Sequence, residues 1–275
     1  MKITRRSFVA LTGSTLASLG LGGSLPALAA GSMGQIKERG TLRVGVTQAP
    51  PWYSKDLASG KWTSGVGVSA GTAMAEALGV TFEPVEVTWG TAVAALQSDK
   101  IDVMFVLDAT DKRKEAASFP EAPLLFYSLA VLARNDLDVS TWDDLNNADI
   151  KISVPQATSM DAYLTENVSN ASIQRFPGNT EAIAAFQSGR VDAVCLFHPP
   201  LIAALKNLKQ GKIVVPTPVK ANPTSAAVRK GDTEFVAFVN EQLEGWYQSG
   251  EVQEWYEEFL TGFGLDPSAA PAIVR

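Results

Sequence analysis

Ala95-Leu96-Gln97-Ser98-Asp99-Lys100-Ile101-Asp102-Val103 recurs, lightly altered, as Ala185-Phe186-Gln187-Ser188-Gly189-Arg190-Val191-Asp192-Ala193. Each copy reads as the end of a helix, a tight polar turn, then a strand opening on an Asp. Each follows Ala-rich helical spacing (91–96, 181–186) and precedes an apolar run (103–107, 193–197). A solenoid repeats at roughly 20–50 residues, and these copies stand 90 apart. The spacing instead suits one αβ unit used once in each of two similar lobes. Small ligands bind in the cleft between such lobes.

Working outward, the chain supplies strand-helix-strand order on both sides. Gln35 to Arg39 reads as a short helix stopped by Gly40, and Thr41 to Thr47 as the first strand. Ser69 to Leu78 has helical spacing and ends at Gly79, the usual residue after a helix C-terminus. Val80 to Val87 alternates as a strand, Thr91 to Gln97 is helical, and Ile101 to Leu107 is apolar without alternation, as a parallel strand buried on both faces requires. This βαβαβ order predicts a doubly wound α/β unit. Lys151 to Val154, Met160 to Glu166, Ser172 to Phe176, Thr180 to Gln187 and Val191 to Phe197 repeat it. Leu129 to Ala133 reads as a strand crossing between lobes, with a return crossing near 214–224. Two amphipathic helices follow, at Phe235 to Gln248 and Val252 to Leu260.

The expected organisation is therefore a signal peptide at 1–29, lobe 1 at 35–131 and 222–266, lobe 2 at 132–221, and a mobile tail at 267–275. Thr4-Arg5-Arg6-Ser7-Phe8-Val9 carries a twin-arginine pattern, and Ala27-Leu28-Ala29 a small-x-small cleavage site. Export to the periplasm by the twin-arginine route follows. Loss of Lys2, Arg5 and Arg6 with that segment leaves 20 of the 23 basic residues against 29 acidic ones, a net charge of −9. Nucleic acid requires a basic face, so it is excluded as a partner. No later segment approaches the roughly 18 apolar residues of a membrane span.

Cys195 is the only cysteine and His198 the only histidine. No disulfide can form within the chain, and a zinc site lacks ligands, so neither metal nor cofactor is expected. No Gly-x-Ser-x-Gly elbow is present, which removes the support for a hydrolase triad built on His198.

Taken in series, these segments resemble family 3 periplasmic solute-binding proteins, the class serving ABC importers of polar amino acids. The matching stretches are Gly40 through Val46, Pro50-Pro51-Trp52 and Trp89 through Asp102. Thr110-Asp111-Lys112-Arg113-Lys114 with Phe119-Pro120, the loop 156–159, Gly189 through Ala193, Val228 through Asp232 and Ser249 through Val252 with Trp255-Tyr256 complete the series. Each motif alone is weak; the ordered series spans nearly the whole chain beyond residue 40. The resemblance implies two α/β lobes joined by a two-segment hinge and closing on a ligand. It also implies a monomer that delivers its solute to an ABC permease in the inner membrane.

The resemblance supplies residue roles as well. Arg113, in Thr-x-x-Arg, would hold a ligand carboxylate through a two-pronged charge-assisted pair. Thr110, Thr158 and Ser159 would add hydroxyl or backbone donors. Trp52 and Trp89 would form an aromatic wall, Trp89 more strongly because Gly90-Thr91 opens a helix beside it. Both could equally serve as core residues.

Two departures from the family pattern bear on the ligand. Relatives that bind α-amino acids have Ser or Thr where this chain has Asp108, and an acidic residue where it has Phe197. Asp108 could have taken over the ligand ammonium, or could pair with Arg113 and leave a site for a plain carboxylate. His198, beside Phe197, is a further candidate to reach the cleft, with a structural role the commoner one for a lone histidine. The leading expectation is capture of a small carboxylate-bearing solute, an amino acid or related compound. The alternative is an exported cyclohexadienyl or arogenate dehydratase-like enzyme on the same scaffold, with Asp108 recruited for proton transfer.

Overall fold

In a computed structural model of the protein, describing residues 32–274, the two nonapeptides occupy matching places in two βαβαβ units. The expected signal peptide lies outside the described residues. The chain enters through α1 (Ser32–Arg39) and β1 (Thr41–Val46), then a small hairpin of β2 (Ser54–Lys55) and β3 (Trp62–Ser64). Next come α2 (Val66–Leu78), β4 (Thr81–Glu86), α3 (Ala92–Gln97) and β5 (Val103–Leu107). α4 (Asp111–Ala116), β6 (Ala117–Ser118), β7 (Leu125–Ala133) and α5 (Trp142–Leu145) lead into the second unit. That unit is β8 (Lys151–Pro155), α6 (Ser159–Asn167), β9 (Ser172–Phe176), α7 (Asn179–Gln187) and β10 (Ala193–Phe197). α8 (His198–Leu208), β11 (Lys212–Val214), β12 (Ala221–Arg229), α9 (Thr233–Ser249) and α10 (Glu251–Gly262) follow.

The strand order β4-β1-β5 in one half is matched by β9-β8-β10 in the other, all parallel. The third strand of each unit, β5 and β10, is buried at every position, which explains its unbroken apolar run. The repeated Asp is structural in both copies. Asp102 accepts the Arg43 N–H at 2.8 Å and Asp192 accepts the Lys151 N–H at 2.8 Å. Their own N–H groups return bonds to the carbonyls of those same residues. Each Asp thus stitches the mouth of the third strand to the first. Asp102 also pairs with Arg43 and Arg39, and Asp192 with Arg134. The polar turn ahead of each Asp needs a left-handed residue: Gly189 stands at φ 70° in one copy and Asp99 at φ 62° in the other. Gly adopts this conformation freely and Asp tolerates it.

Two long strands join the halves. The first part of β7 pairs with β12 (Leu125↔Thr224 to Ser128↔Ala221), and the rest pairs with β10 (Leu129↔Phe197 to Ala133↔Ala193). β12 likewise passes from β7 to β5, where Ser225 faces Leu107 and Val228 faces Val103. Both strands were partly visible as crossings, but β7 starts four residues before the expected Leu129 and β12 contains Pro223. Proline cannot donate to a ladder, which obscured that strand.

Two further expectations need correction. No helix is expected from sequence at 198–208, yet α8 forms there with Pro199 and Pro200 in its first turn. Those positions have no intrahelical partner for an N–H, so proline starts the helix without penalty. The tail is docked, not mobile at its apolar end: Ile273 is 1% exposed. Its carbonyl accepts the Phe126 N–H of β7 at 2.7 Å, and its N–H donates to Gln253 of α10 at 3.2 Å. One buried aliphatic side chain outweighs the Ala/Pro composition around it.

Candidate functional site

The ends of β5 and β10, the loops after β4 and β8, and the middle of β7 converge on one cavity. Trp52, Trp89, Val106, Asp108, Arg113 and Tyr127 line it from one side, Thr158, Met160, Asn179, Leu196, Phe197 and Pro200 from the other. It leaves about 30 Å³ for the centres of water molecules, room for about two of them. This is a cleft with its walls together. The open ends of parallel strands are where α/β sheets place ligands.

Arg113 sits in the first turns of α4, where Thr110 caps the helix by accepting the Arg113 N–H at 3.3 Å. The Arg113 side chain is buried and spans the cleft. Nη1 donates to the Asp108 carbonyl at 3.1 Å, and Nη2 to the Trp89 and Ala157 carbonyls at 3.4 and 3.1 Å. Burial lowers the guanidinium pKa, and the nearby Asp108 charge opposes that shift; an arginine stays protonated regardless. A guanidinium carries five N–H donors, so three carbonyl bonds leave donors for a ligand.

Asp108, 8% exposed, has no direct ion pair among the described residues. Its Oδ1 accepts the Tyr127 hydroxyl and its Oδ2 accepts the Ser159 hydroxyl, the latter across the cleft. Burial first, and then the Asp108 charge, holds the Tyr127 phenol pKa well above its ordinary value. Tyr127 therefore acts as a neutral donor. Each carboxylate oxygen keeps a second lone pair. The cavity thus presents an anionic group and a cationic group that do not neutralise each other by direct contact.

Around this pair the walls are aromatic and aliphatic. The Trp52 and Tyr127 ring centroids lie 5.7 Å apart, and Tyr127 packs on Phe197. Trp89 Nε1 donates across the cleft to Asn179 Oδ1 at 3.1 Å, both groups being buried. Gly90 stands at the same seam: a Cβ there would meet the Ala157 Cβ at 3.3 Å, a tight contact that would require one wall to give by a few tenths of an ångström. Outside the seam lies an open groove of about 710 Å³. Thr110, Lys112, Arg113, Thr158 and the Arg175–Asp161 pair line it.

Of the residues expected from sequence, Trp52, Trp89, Asp108, Arg113, Thr158 and Phe197 meet at the cavity. Ser159 reaches it through Asp108. The Thr158 hydroxyl is occupied by the fold, donating to Pro155 at 2.7 Å and accepting from Asp161 N–H at 3.2 Å as the cap of α6. Thr110 caps α4 and faces the outer groove. His198 is placed elsewhere: it lines a hinge-side pocket with Phe126, Ser128, Val215 and Pro271 to Ile273. As the first residue of α8 it turns away from the cavity that Phe197 faces. Tyr127, Asn179, Val106, Met160, Leu196 and Pro200 had not been anticipated. Only Asn179 carried a signal, standing at a helix start behind Pro177-Gly178.

Among the described residues no helix is long and apolar enough to cross a membrane, and no cluster of His, Cys, Asp and Glu could hold a metal ion.

A family model described as bacterial extracellular solute-binding proteins, family 3, matches residues 42–262. The L-cystine-binding protein TcyJ of Escherichia coli (strain K12) is 26% identical over 270 residues, covering 97% of this chain and 99% of the relative. The L-arginine-binding protein of Pseudomonas aeruginosa is 25% identical over 234 residues, covering 80% and 88%. Among solved structures, the ancestral amino acid-binding protein AncCDT-1, a precursor of cyclohexadienyl dehydratase, has a TM-score of 0.75 at 31% identity, covering 83% of this chain and 99% of that one. The cysteine-binding protein from Campylobacter jejuni has a TM-score of 0.77 at 26% identity, covering 85% and 94%. The two-lobed architecture expected from the repeat is the architecture of these proteins.

Proposed function

We propose, because the chain belongs to family 3 of the bacterial extracellular solute-binding proteins, that it captures an α-amino acid between its lobes for an ABC importer. The observation that carries this reading is the buried pair of opposite charges without direct contact. Arg113 offers free guanidinium donors to a carboxylate, and Asp108 offers free lone pairs to an ammonium group. A buried charge without a partner is costly. A zwitterion supplies both partners at once. The named relatives bind cystine, arginine and cysteine, which supports the class without fixing the member.

In this reading the lobes are 35–131 with 222–266, and 132–221. They turn about the points where β7 and β12 change strand partners. The protein works as an exported monomer facing a permease. The rival dehydratase reading has weaker support. The neighbour that suggests it is itself an amino acid-binding precursor.

A thermal-shift screen of the twenty amino acids should raise the melting temperature for at least one, since a ligand binding only the folded state stabilises it. Arg113→Ala should weaken that ligand by about 2–5 kcal/mol, the usual loss when a buried hydrogen-bonded charge pair is broken. Arg113→Lys should restore only part, because a point charge cannot reproduce the fork. A dissociation constant within twofold of the parent in Arg113→Ala would remove the carboxylate site.

A further inference from the structure

Val106 stands at φ 56°, a conformation that is a genuine outlier for a β-branched residue. Its cause lies in the ladder between β5 and β12. Ser225 faces Leu107 and Ala226 faces Phe105, so Val106 is an extra residue with no partner on β12. This is a β-bulge whose inserted residue is left-handed, a position that glycine normally fills. Bulges bend the strand and re-aim side chains beside binding sites. Here the re-aimed side chain is 4% exposed and lines the cavity, two residues before Asp108.

The bulge is locked from both sides. The Tyr53 hydroxyl, itself buried, donates to the Phe105 carbonyl at 2.7 Å. Beyond the bulge, Leu107 is fully buried and Asp108 is held by Tyr127 and Ser159. The backbone therefore cannot relax toward an ordinary strand without breaking those contacts. A branched side chain is kept where it strains the backbone, and its methyl groups occupy ligand space. Strain of this kind persists where the surroundings over-determine it, and it gathers at functional sites.

We propose that Val106 is a specificity-determining residue that sets the upper size of the ligand side chain, confining the site to amino acids with small side chains. The inference rests on the amino acid-binding reading. The apolar residues that line the cavity together with Val106 include Met160, Leu196 and Phe197. Apart from Asp108, none of the residues lining the cavity is acidic. A ligand side chain bearing a second positive charge would find no counter-charge beside Val106. Arginine should thus be a poor ligand, unlike its role for the Pseudomonas aeruginosa relative.

The test titrates glycine, L-alanine, L-cysteine, L-leucine, L-phenylalanine and L-arginine into the parent, Val106→Ala and Val106→Gly by calorimetry. The parent should favour the small members. Both variants should shift the ratio of L-leucine to L-alanine affinity toward L-leucine by tenfold or more, because both remove the two methyl groups. Melting temperature supplies a second readout. At an ordinary buried strand position Gly is less stable than Ala; at this positive φ, Val106→Gly should melt at or above Val106→Ala. A ratio unchanged within twofold in both variants, or a parent that prefers L-leucine or L-arginine to L-alanine, overturns the size-limit role while amino acid capture stands. A parent that binds none of the twenty amino acids overturns the capture reading and this inference with it.

Discussion

Replacing Asp108 with Asn removes one charge from the cavity while leaving its shape nearly unchanged. The structure shows why the variant should fold. Asp108 accepts from two hydroxyls, of Tyr127 and Ser159, and a hydroxyl can accept as readily as donate. One of the two can turn to receive the new amide N–H, so the contact across the cleft survives. The loss of charge acts on the ligand. Two unit charges about 4 Å apart interact by about 4 kcal/mol at an effective dielectric of about 20. The Asn carbonyl would still accept from an ammonium group, returning about 0.5–1.5 kcal/mol of that. A net loss of about 2.5–3.5 kcal/mol remains, roughly 60- to 300-fold in affinity. The assay is calorimetric titration of the best amino acid from the screen, and of its deaminated analogue, into parent and Asp108→Asn. The parent should bind the analogue poorly, and the variant should narrow the gap between the two ligands. If Asp108 served only to offset Arg113, the substitution would free the guanidinium and tighten both ligands. Tightening of the amino acid in Asp108→Asn would therefore refute the ammonium role.

The Trp89–Asn179 hydrogen bond joins the two walls, so Asn179→Ala should weaken ligand binding by about 1–2 kcal/mol, roughly five- to thirtyfold, by leaving a buried indole N–H without a partner in the closed form. The radius of gyration at saturating ligand should still contract, and a dissociation constant within twofold of the parent would show that the bond does not hold the closed state. Burial lowers the His198 pKa, so the unfolded chain binds a proton more readily than the folded one as pH falls below about 6.5. The stability from keeping His198 neutral is complete above that pH and is lost as pH falls through the depressed folded value. His198→Gln should flatten the decline of melting temperature between pH 7 and 5, and an identical slope in parent and variant would contradict the placement of this side chain.

The βαβαβ units could be read from sequence because burial on both faces imposes a continuous apolar run, and β5 and β10 had one each. The site was legible where a motif ties a residue to a helix start, as Thr110 and Arg113 are tied to α4. Tyr127 lies inside β7 and touches the cavity only because that strand changes partners there. No local pattern announces such a position. His198 failed for a geometric reason: a helix beginning at that residue turns its side chain away from the neighbour it follows in sequence. Val106 was invisible because a bulge is a property of two strands in register, and its partner strand lies 120 residues further along the chain.

Cys195 lies in the middle of β10, fully buried, with its thiol pKa pushed up by the same burial. It is also the chain's only cysteine. The folded protein therefore offers maleimides and iodoacetamides nothing to react with, because the thiolate is the reactive form. A cysteine installed at the rim of the outer groove, for example by Lys112→Cys, would take a single fluorophore without any need to delete a native thiol. That makes the chain a ready scaffold for an optical ligand sensor. Left unmodified, the slow alkylation of Cys195 becomes a stopwatch for the opening of the sheet itself.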